Sequence, residues 1–498
     1  DELPHGGLTA RSRSRASFGR STPTGTLDMR TPSRTPLLLL SLLISGAIGL
    51  GCGDPSLGPV APTMPDAVAI RLPHAAESAA LTAVRAGNAQ SVLAAPDLVP
   101  PGMPLTPFVE ARLYAIVNVA MHDALNGIVP RYARYADTGP IDADANAAAA
   151  VLTAAHDAIV GGAPAATAAT DAWYAGALGA LAGDGIAAGV EIGHRAAAAI
   201  LAVRASDGVA AGGVAPYFPG TAPGDYQFTA PFDAPPFSLI FPGTGGFADA
   251  SEWGTTATTF VVANGAQFRA PPPYGAASNA AAVLTPAYTA DFAEISALGC
   301  AGCTARSAEQ TEIALFWVQS IPAAFNLIAR TLAERRHLDA ASTARLLTLL
   351  QMAEFDAYTT CGESKYFYNF WRPVTAVALA AADGNPATAP TPGWQVLAFP
   401  TPPVPDYPSA HAAAGGAGAA VLEALMPGRG PAFTTTSASL PNTVRTFTTV
   451  ADAARENADS RVFVGYHFRH AADMGLVQGR AVGDFVAGHA LQPLRGPQ

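Results

Sequence analysis

The chain is almost without lysine: of its 28 Lys and Arg residues 27 are arginine, and Lys365 stands alone. Charge of either sign is scarce, with 13% Asp, Glu, Lys and Arg against roughly 25% in ordinary soluble domains. The net charge is −10, so the basic footprint that nucleic acid requires is missing. Cysteine occurs only at positions 52, 300, 303 and 361. Cys300-Ala-Gly-Cys303 can close a small disulfide in an exported protein, leaving Cys361 free, and the lack of a second Cys-x-x-Cys argues against structural zinc. Long apolar runs are also missing, since Leu37–Leu50 falls short of the ~20 residues a membrane helix needs. What the chain does have is 50% hydrophobic residues, with Gly 48 and Pro 43 scattered rather than periodic. That excludes collagen-like and disordered polymers and leaves a globular chain with a large core.

Arg30 and Arg34 precede the Leu37–Leu50 run, and Gly51-Cys52-Gly53 follows it. A basic flank, an apolar middle and small residues describe an export signal. The unit opens at Met29, so residues 1–28 read as upstream sequence or a cloning remnant and 29–52 as a signal peptide. Gly51-Cys52 resembles a bacterial lipoprotein cleavage site with Cys52 as lipid anchor, although Gly49 stands where such sites usually carry Leu; an ordinary secretory signal is the alternative. Both imply an extracytoplasmic bacterial protein, periplasmic or membrane-anchored in the first case, otherwise secreted.

Residues 53–104, rich in Pro, Ala and Gly, read as a linker and approach segment. Helical spacing begins at Phe108 and stops at Asn126-Gly127, and Ala-rich helical stretches follow near 144–160, 166–182 and 186–206. These make 105–206 an N-terminal helical part. Residues 207–305 lose the period and gain Pro, Gly and aromatics, as an irregular insertion does. Helical spacing returns near 308–332, 338–360, 373–383, 409–426, 446–464 and 471–490, giving a C-terminal bundle over 306–498. The expected class is all-α, built of antiparallel helical bundles with a long irregular Pro/Gly-rich insertion. No apolar stripe marks an interface, so monomer and homodimer both stay open.

Three clusters carry chemistry. Lys365-Tyr-Phe-Tyr-Asn-Phe-Trp-Arg372-Pro373 puts two cations around an aromatic stretch, with Pro373 placing them at a helix-to-helix junction. In a chain that avoids lysine, a retained ammonium suggests a site where a planar guanidinium does not fit. Pro405-Asp406-Tyr407-Pro408-Ser409-Ala410-His411 leads into a helix whose N-terminus, with the Ser409 hydroxyl and the backbone N–H of Ala410, suits an anion and puts an imidazole beside it. Ser460-Arg461-Val-Phe-Val-Gly465-Tyr466-His467-Phe-Arg469-His470 holds a third cation and a second imidazole, with Gly465 offering the break that lets Arg461 and His467 converge. His470 reads as a supporting or surface residue.

In this order and spacing, Lys365…Arg372-Pro373, Pro408-Ser409-x-His411 and Ser460-Arg461…His467 resemble the signature of the vanadium-dependent haloperoxidase and type 2 phosphatidic-acid phosphatase superfamily. The likeness to the bacterial haloperoxidase-like branch extends over about 105–490 and takes in Met121-His-Asp-Ala-Leu-Asn126 and Phe316-Trp317. The resemblance implies vanadate as cofactor, or phosphate in the same site, with vanadium on a ring nitrogen of His467. Lys365, Arg372 and Arg461 would neutralise its equatorial oxygens, Ser409 and Ala410 N–H would donate to the oxyanion, and His411 would act as acid/base. Three positions depart from the family: Ala410 replaces the usual Gly, Ala471 replaces an Asp that orients the ligand histidine, with Asp473 as a candidate substitute, and Val404 is smaller than the aromatic of fungal chloroperoxidases.

The leading expectation is a haloperoxidase taking hydrogen peroxide, a halide (bromide rather than chloride) and a small organic acceptor. The alternatives are an acid phosphatase that cleaves a phosphate ester through a phosphohistidine at His467, and a non-catalytic oxyanion-binding lipoprotein. Other polar residues read as structural. Glu354 and Asp356 are taken as structural partners, His122 and Asp123 as adjacent helical residues that do not face each other, and His156, His194, His337 and His489 as lacking convergent partners.

Overall fold

The computed structural model describes residues 72–99, 106–209, 214–428, 430 and 432–494. The signal, Cys52 and the 1–28 segment lie outside the described residues.

Five helices form the N-terminal part: α1 (His74–Ala94), α2 (Pro107–Asn126), α3 (Ala147–Gly162), α4 (Thr167–Gly179) and α5 (Ile186–Arg204). The segment expected as a loose approach therefore contains α1, which buries Ala80, Ala83 and Val84 in the main core. Its buried face also carries Gly87, Asn88 and Ser91, so no apolar period announced it. Close approach is the rule here: a Cβ on Gly193 of α5 would stand 2.6 Å from the carbonyl oxygen of Ala150 in α3. Of the described helices α5 is long and apolar enough by composition to cross a membrane; it packs on α3 through that glycine face.

The insertion is mostly irregular, with short α6 (Trp253–Thr256) and α7 (Asn279–Ala282), but its end forms a full helix, α8 (Pro286–Leu298). It is pinned to the body by buried groups. Asp356 accepts the backbone N–H of Phe260, Val261 and Val262 at 2.6, 2.8 and 3.0 Å, and Trp253 Nε1 donates to Thr359 at 3.2 Å.

The C-terminal part comprises α9 (Ala308–Phe316), α10 (Ile321–Arg335), α11 (Ala340–Tyr368), α12 (Pro373–Leu379), α13 (Ala410–Leu425), α14 (Val450–Phe463) and α15 (Arg469–His489). The single helix expected over 308–332 is instead two, bent by 94° at Trp317–Ser320; Ser320 caps α10, and Pro322 sits in its first turn where the missing N–H costs nothing. A hairpin also escaped the sequence reading. In it β1 (Phe433–Thr436) pairs antiparallel with β2 (Val444–Phe447), Phe433 opposite Phe447. The central element is α11, 29 residues long and buried on all sides over most of its length, as a helix between two layers must be.

Helices α13 and α15 approach through Gly475, Gly479 and Gly483. A Cβ at these positions would lie 2.3, 1.8 and 2.4 Å from the carbonyl oxygens of Ser409, Ala413 and Ala417. Only glycine allows that spacing, and the seam fixes the α13 N-terminus on which Ser409 and His411 ride.

Candidate functional site

Lys365 lies in the last turn of α11, which stops at Asn369 in the left-handed conformation (φ 52°), a state Asn tolerates. Its Nζ donates to the carbonyls of Pro405 (2.6 Å) and Asp406 (2.9 Å). Burial lowers the ammonium to about 7, and Arg372 pushes the same way. Arg372 is the N-cap of α12, with Pro373 in the first turn. Its Nε donates to Val404 O (2.7 Å) and its Nη1 to Tyr466 O (2.8 Å), while Nη1 also lies 2.9 Å from His467 Nε2.

Arg461 closes α14. Its Nη1 donates to Trp317 O at 2.8 Å, its guanidinium stands 5.0 Å from the Tyr466 ring, and its buried Nε has no partner. Burial lowers it to about 10. The break expected at Gly465 is present: φ is 87°, and a Cβ would meet Gly299 O at 2.3 Å. The turn folds the N–H groups of both Tyr466 and His467 onto Arg461 O, at 3.0 and 3.1 Å, which brings Arg461 and His467 together.

Ser409 is the N-cap of α13, its hydroxyl accepting from Ala412 N–H. His411, in the first turn, places Nε2 3.1 Å from Gln319 O. That contact makes Nε2 the protonated nitrogen and leaves Nδ1 as the proton-exchanging one. Burial and then Arg461 hold the imidazole well below its ordinary range, so it is neutral and basic in form.

These residues surround one cavity of about 880 Å³, lined by Lys365, Arg372, Ala410, His411, Arg461 and His467. Ser409 is fully buried just behind them. Among the described residues none of the three cations is ion-paired within 4 Å of a carboxylate, and the nearest acid, Asp406, bonds the histidine. Three buried cations outnumber the two carboxyls near them, Asp406 on the histidine and Asp249 elsewhere in the cavity lining, and this excess favours an anion. With the unpartnered Arg461 Nε they fit a multiply charged oxyanion such as vanadate or phosphate, held by Lys365, Arg372 and Arg461.

Asp406 is the functional residue that sequence reasoning missed. Its Oδ1 lies 2.9 Å from His467 Nδ1, whereas Asp473, the candidate substitute, pairs at the surface with Arg455 at 2.7 Å. Burial raises the Asp406 carboxyl to about 7 against the pull of Arg372 and Lys365. Burial, Arg372 and Lys365 hold His467 well below its ordinary range. A neutral ring that donates Nδ1–H to Asp406 turns the Nε2 lone pair toward the cations, where Arg372 Nη1 stands 2.9 Å away in this structure and a ligand would compete for it. The only sequence signal was an acid in an otherwise apolar cap segment.

Several bystanders differ from expectation. His122 Nδ1 does meet Asp123, at 2.8 Å, while Asp123 also accepts the N–H of Tyr135 and Ala136; the pair is structural and remote from the cavity lining. His156 and His194 are not isolated, since Asp157 bonds both. Glu354 finds no hydrogen-bond partner for either oxygen, unlike the well-anchored Asp356. His470 supports the site from behind, stacked between Tyr274 and Tyr407 and accepting Tyr274 N–H at 3.0 Å.

Residues 345–496 match the family described as the VCPO second helical-bundle domain. Over 139 residues the chain is 32% identical to "Vanadium chloroperoxidase" of Curvularia inaequalis, a match covering 23% of this chain and 22% of that protein; the chain thus spans about a fifth of that relative. Among solved structures it is similar to "the first bacterial vanadium dependant iodoperoxidase" (TM-score 0.63, 22% identity, 84% of this chain and 97% of that one). It is also similar to a "holo-type bacterial Vanadium-dependent chloroperoxidase" (TM-score 0.62, 18% identity, 78% and 94%). The two structures share the fold of this chain, and the bundle over residues 345–496 that matches the VCPO second helical-bundle domain is the part that carries the cation cradle.

Proposed function

We propose that this protein is a vanadate-dependent haloperoxidase that uses hydrogen peroxide to oxidise halide, bromide in preference to chloride, to hypohalous acid. The observation that carries the reading is the convergence on His467, whose Nδ1 faces Asp406, of three buried cations that among the described residues have no carboxylate within 4 Å. The reaction consumes one peroxide, one halide and one proton and yields hypohalous acid and water. Bound vanadate would supply Lewis acidity toward the peroxide oxygens.

The protein's own part is electrostatic and protonic. Lys365, Arg372 and Arg461 hold negative charge in a site shielded from water, where fixed cations count for more than in solvent. His467 offers Nε2 as the ligating nitrogen. His411 Nδ1 takes the first proton of arriving peroxide and returns one to the departing oxygen. Val404, buried in the cavity wall, leaves the halide side roomier than an aromatic would, which supports the larger bromide. The Cys300–Cys303 disulfide supports an oxidising, extracytoplasmic location.

The phosphatase reading draws on the same His467 Nε2, which could attack phosphorus with His411 protonating the leaving oxygen. The test is bromination of a phenolic dye with peroxide and bromide, with and without vanadate, beside hydrolysis of an aryl phosphate. Vanadate-dependent bromination lost in His467→Ala and His411→Ala is expected. Hydrolysis blocked by vanadate, with no bromination, would transfer the protein to the phosphatase reading, and oxyanion binding without turnover to the binding protein.

A further inference from the structure

The cavity is much larger than its cradle. Small inorganic reactants need only a corner of about 880 Å³, a volume in the range of pockets for organic ligands, about 300–1,000 Å³. The cations and imidazoles occupy one part of its wall. Much of the remaining wall is apolar and comes from the insertion: Phe232, Phe237, Phe241 and Phe247 line it, joined by Phe108 of α2. Three of these rings form a cluster, Phe232 to Phe237 at 4.8 Å in an edge-to-face arrangement and Phe247 at 6.3 and 6.2 Å from the other two. Edge-to-face surfaces of this kind accept a further aromatic ring. Leu239, at 66% exposure, adjoins Ile240 at the wall, and exposed Phe399 adjoins the lining residue Pro400.

Among the described residues one acid in the cavity lining, Asp249, two residues after Phe247, has only the backbone N–H of Ala250 on its carboxyl. Arg112 is committed to Asp207 at 2.7 Å and Arg204 O at 3.0 Å, but the Asp249 carboxyl lines the cavity and makes no side-chain hydrogen bond to another side chain among the described residues. An acid there disfavours an anionic guest and accepts from a hydroxyl or ring N–H.

We infer that the phenylalanine-lined part of the cavity seats a neutral, electron-rich aromatic acceptor of the phenol or indole kind, its donor on Asp249, so that oxidised halide is transferred to the seated molecule rather than released. The inference rests on the haloperoxidase reading. The step balances: the arene π pair forms the carbon–halogen bond as the halogen–oxygen bond of hypohalous acid breaks, and the leaving hydroxide takes the ring proton to become water. The insertion is then the specificity element of the reaction.

Two measurements on the purified protein test this. In the first, 2-naphthol is titrated into the protein without vanadate, peroxide or halide, beside 2-naphthoate and 2-naphthyl phosphate. Binding of the neutral naphthol, weakened at least tenfold in Phe237→Asp and in Asp249→Asn at unchanged melting temperature, is expected. In the second, vanadate-loaded enzyme with bromide and peroxide is offered equimolar 2-naphthol and its 6-sulfonate, and the product ratio is compared with that from added hypobromite. A ratio at least tenfold above the reagent's, falling toward it in both variants, is expected. Bromination at the reagent's ratio would overturn the inference while leaving the haloperoxidase reading intact. Bromination of neither acceptor would remove that reading, and tighter binding with hydrolysis of 2-naphthyl phosphate would replace the neutral guest by an ester.

Discussion

His467 Nδ1 lies 2.9 Å from Asp406 Oδ1, a residue 61 positions earlier in the chain. The carboxylate reaches the ring from the segment that precedes α13, so one stretch of chain orients the histidine, caps the helix and presents His411. Groups that orient a ligating histidine typically contribute 10–100-fold in affinity or activity. Asp406→Asn should therefore weaken oxyanion binding about 10–100-fold, read by calorimetry with vanadate in the absence of peroxide. Asp473→Asn, which disturbs only an exposed pair with Arg455, should leave it within twofold. The reverse ranking would return the orienting role to the residue after the third motif.

The depressed ammonium of Lys365 makes oxyanion binding pH-dependent with a definite sign. In the anion-free protein burial lowers it to about 7, so below that pH it is already charged. An anion in the cradle favours the charged form, and above pH 7 binding must take up a proton. Affinity should be level below about 7 and fall by up to about tenfold per unit above it. Sulfate, whose charge does not change in this range, is the suitable probe, with proton uptake measured in buffers of different ionisation enthalpy. Lys365→Gln should bind more weakly throughout and lose the uptake; a slope that survives in this variant would assign it to another group.

The contrast between Lys365 and Asp406 shows what was legible in the sequence. Lys365, Arg372, Ser409, His411, Arg461 and His467 sit at helix ends marked by local signals: a proline in a first turn, a serine cap, a glycine with positive φ. Asp406 has no local signal, because its role depends on a fold that brings two distant segments within hydrogen-bond reach. The same holds for other corrections. The buried face of α1 is Gly, Asn and Ser as well as Ala, so amphipathic spacing is blurred. The bend at Trp317–Ser320 lies within a stretch of continuous helical spacing, and its purpose is tertiary, since Trp317 O and Gln319 O receive Arg461 and His411. The His156–Asp157–His194 cluster likewise needs α3 and α5 to pack before it exists.

Glu354 is the buried acid least provided for. Neither oxygen has a partner, and burial, helped by Glu110, holds the carboxyl well above its ordinary 4.5. Because the folded value exceeds the unfolded one, the stability associated with the protonated form is complete below about pH 4.5. It is lost as pH rises toward the folded value, by about 1.4 kcal/mol per unit. Gln has the same shape and no proton to lose. Glu354→Gln should thus gain stability relative to the parent as pH rises from 5 to 8, seen as a widening gap in urea midpoints. A gap that does not change with pH would mean that the carboxyl does not titrate over this interval.

The α13–α15 seam offers a test that links packing to the site. A Cβ at Gly479 would stand 1.8 Å from Ala413 O, a backbone atom that cannot turn aside, whereas one at Gly488 in the same helix meets nothing within 4 Å. Gly479→Ala should therefore destabilise by about 1–3 kcal/mol, the usual cost of overpacking. Gly488→Ala should stabilise by up to about 1 kcal/mol through helix propensity and the unfolded chain. Any relief of the Gly479 clash must push the helices apart. Because Gly475, one turn earlier, packs against Ser409 O, the displacement is transmitted to the helix end that carries Ser409 and His411. Gly479→Ala should then lose sulfate affinity even at temperatures where it remains folded, while Gly488→Ala should not. Equal affinities in the two variants, measured well below both melting temperatures, would show that the glycine seam stabilises the bundle without setting the geometry of the cradle.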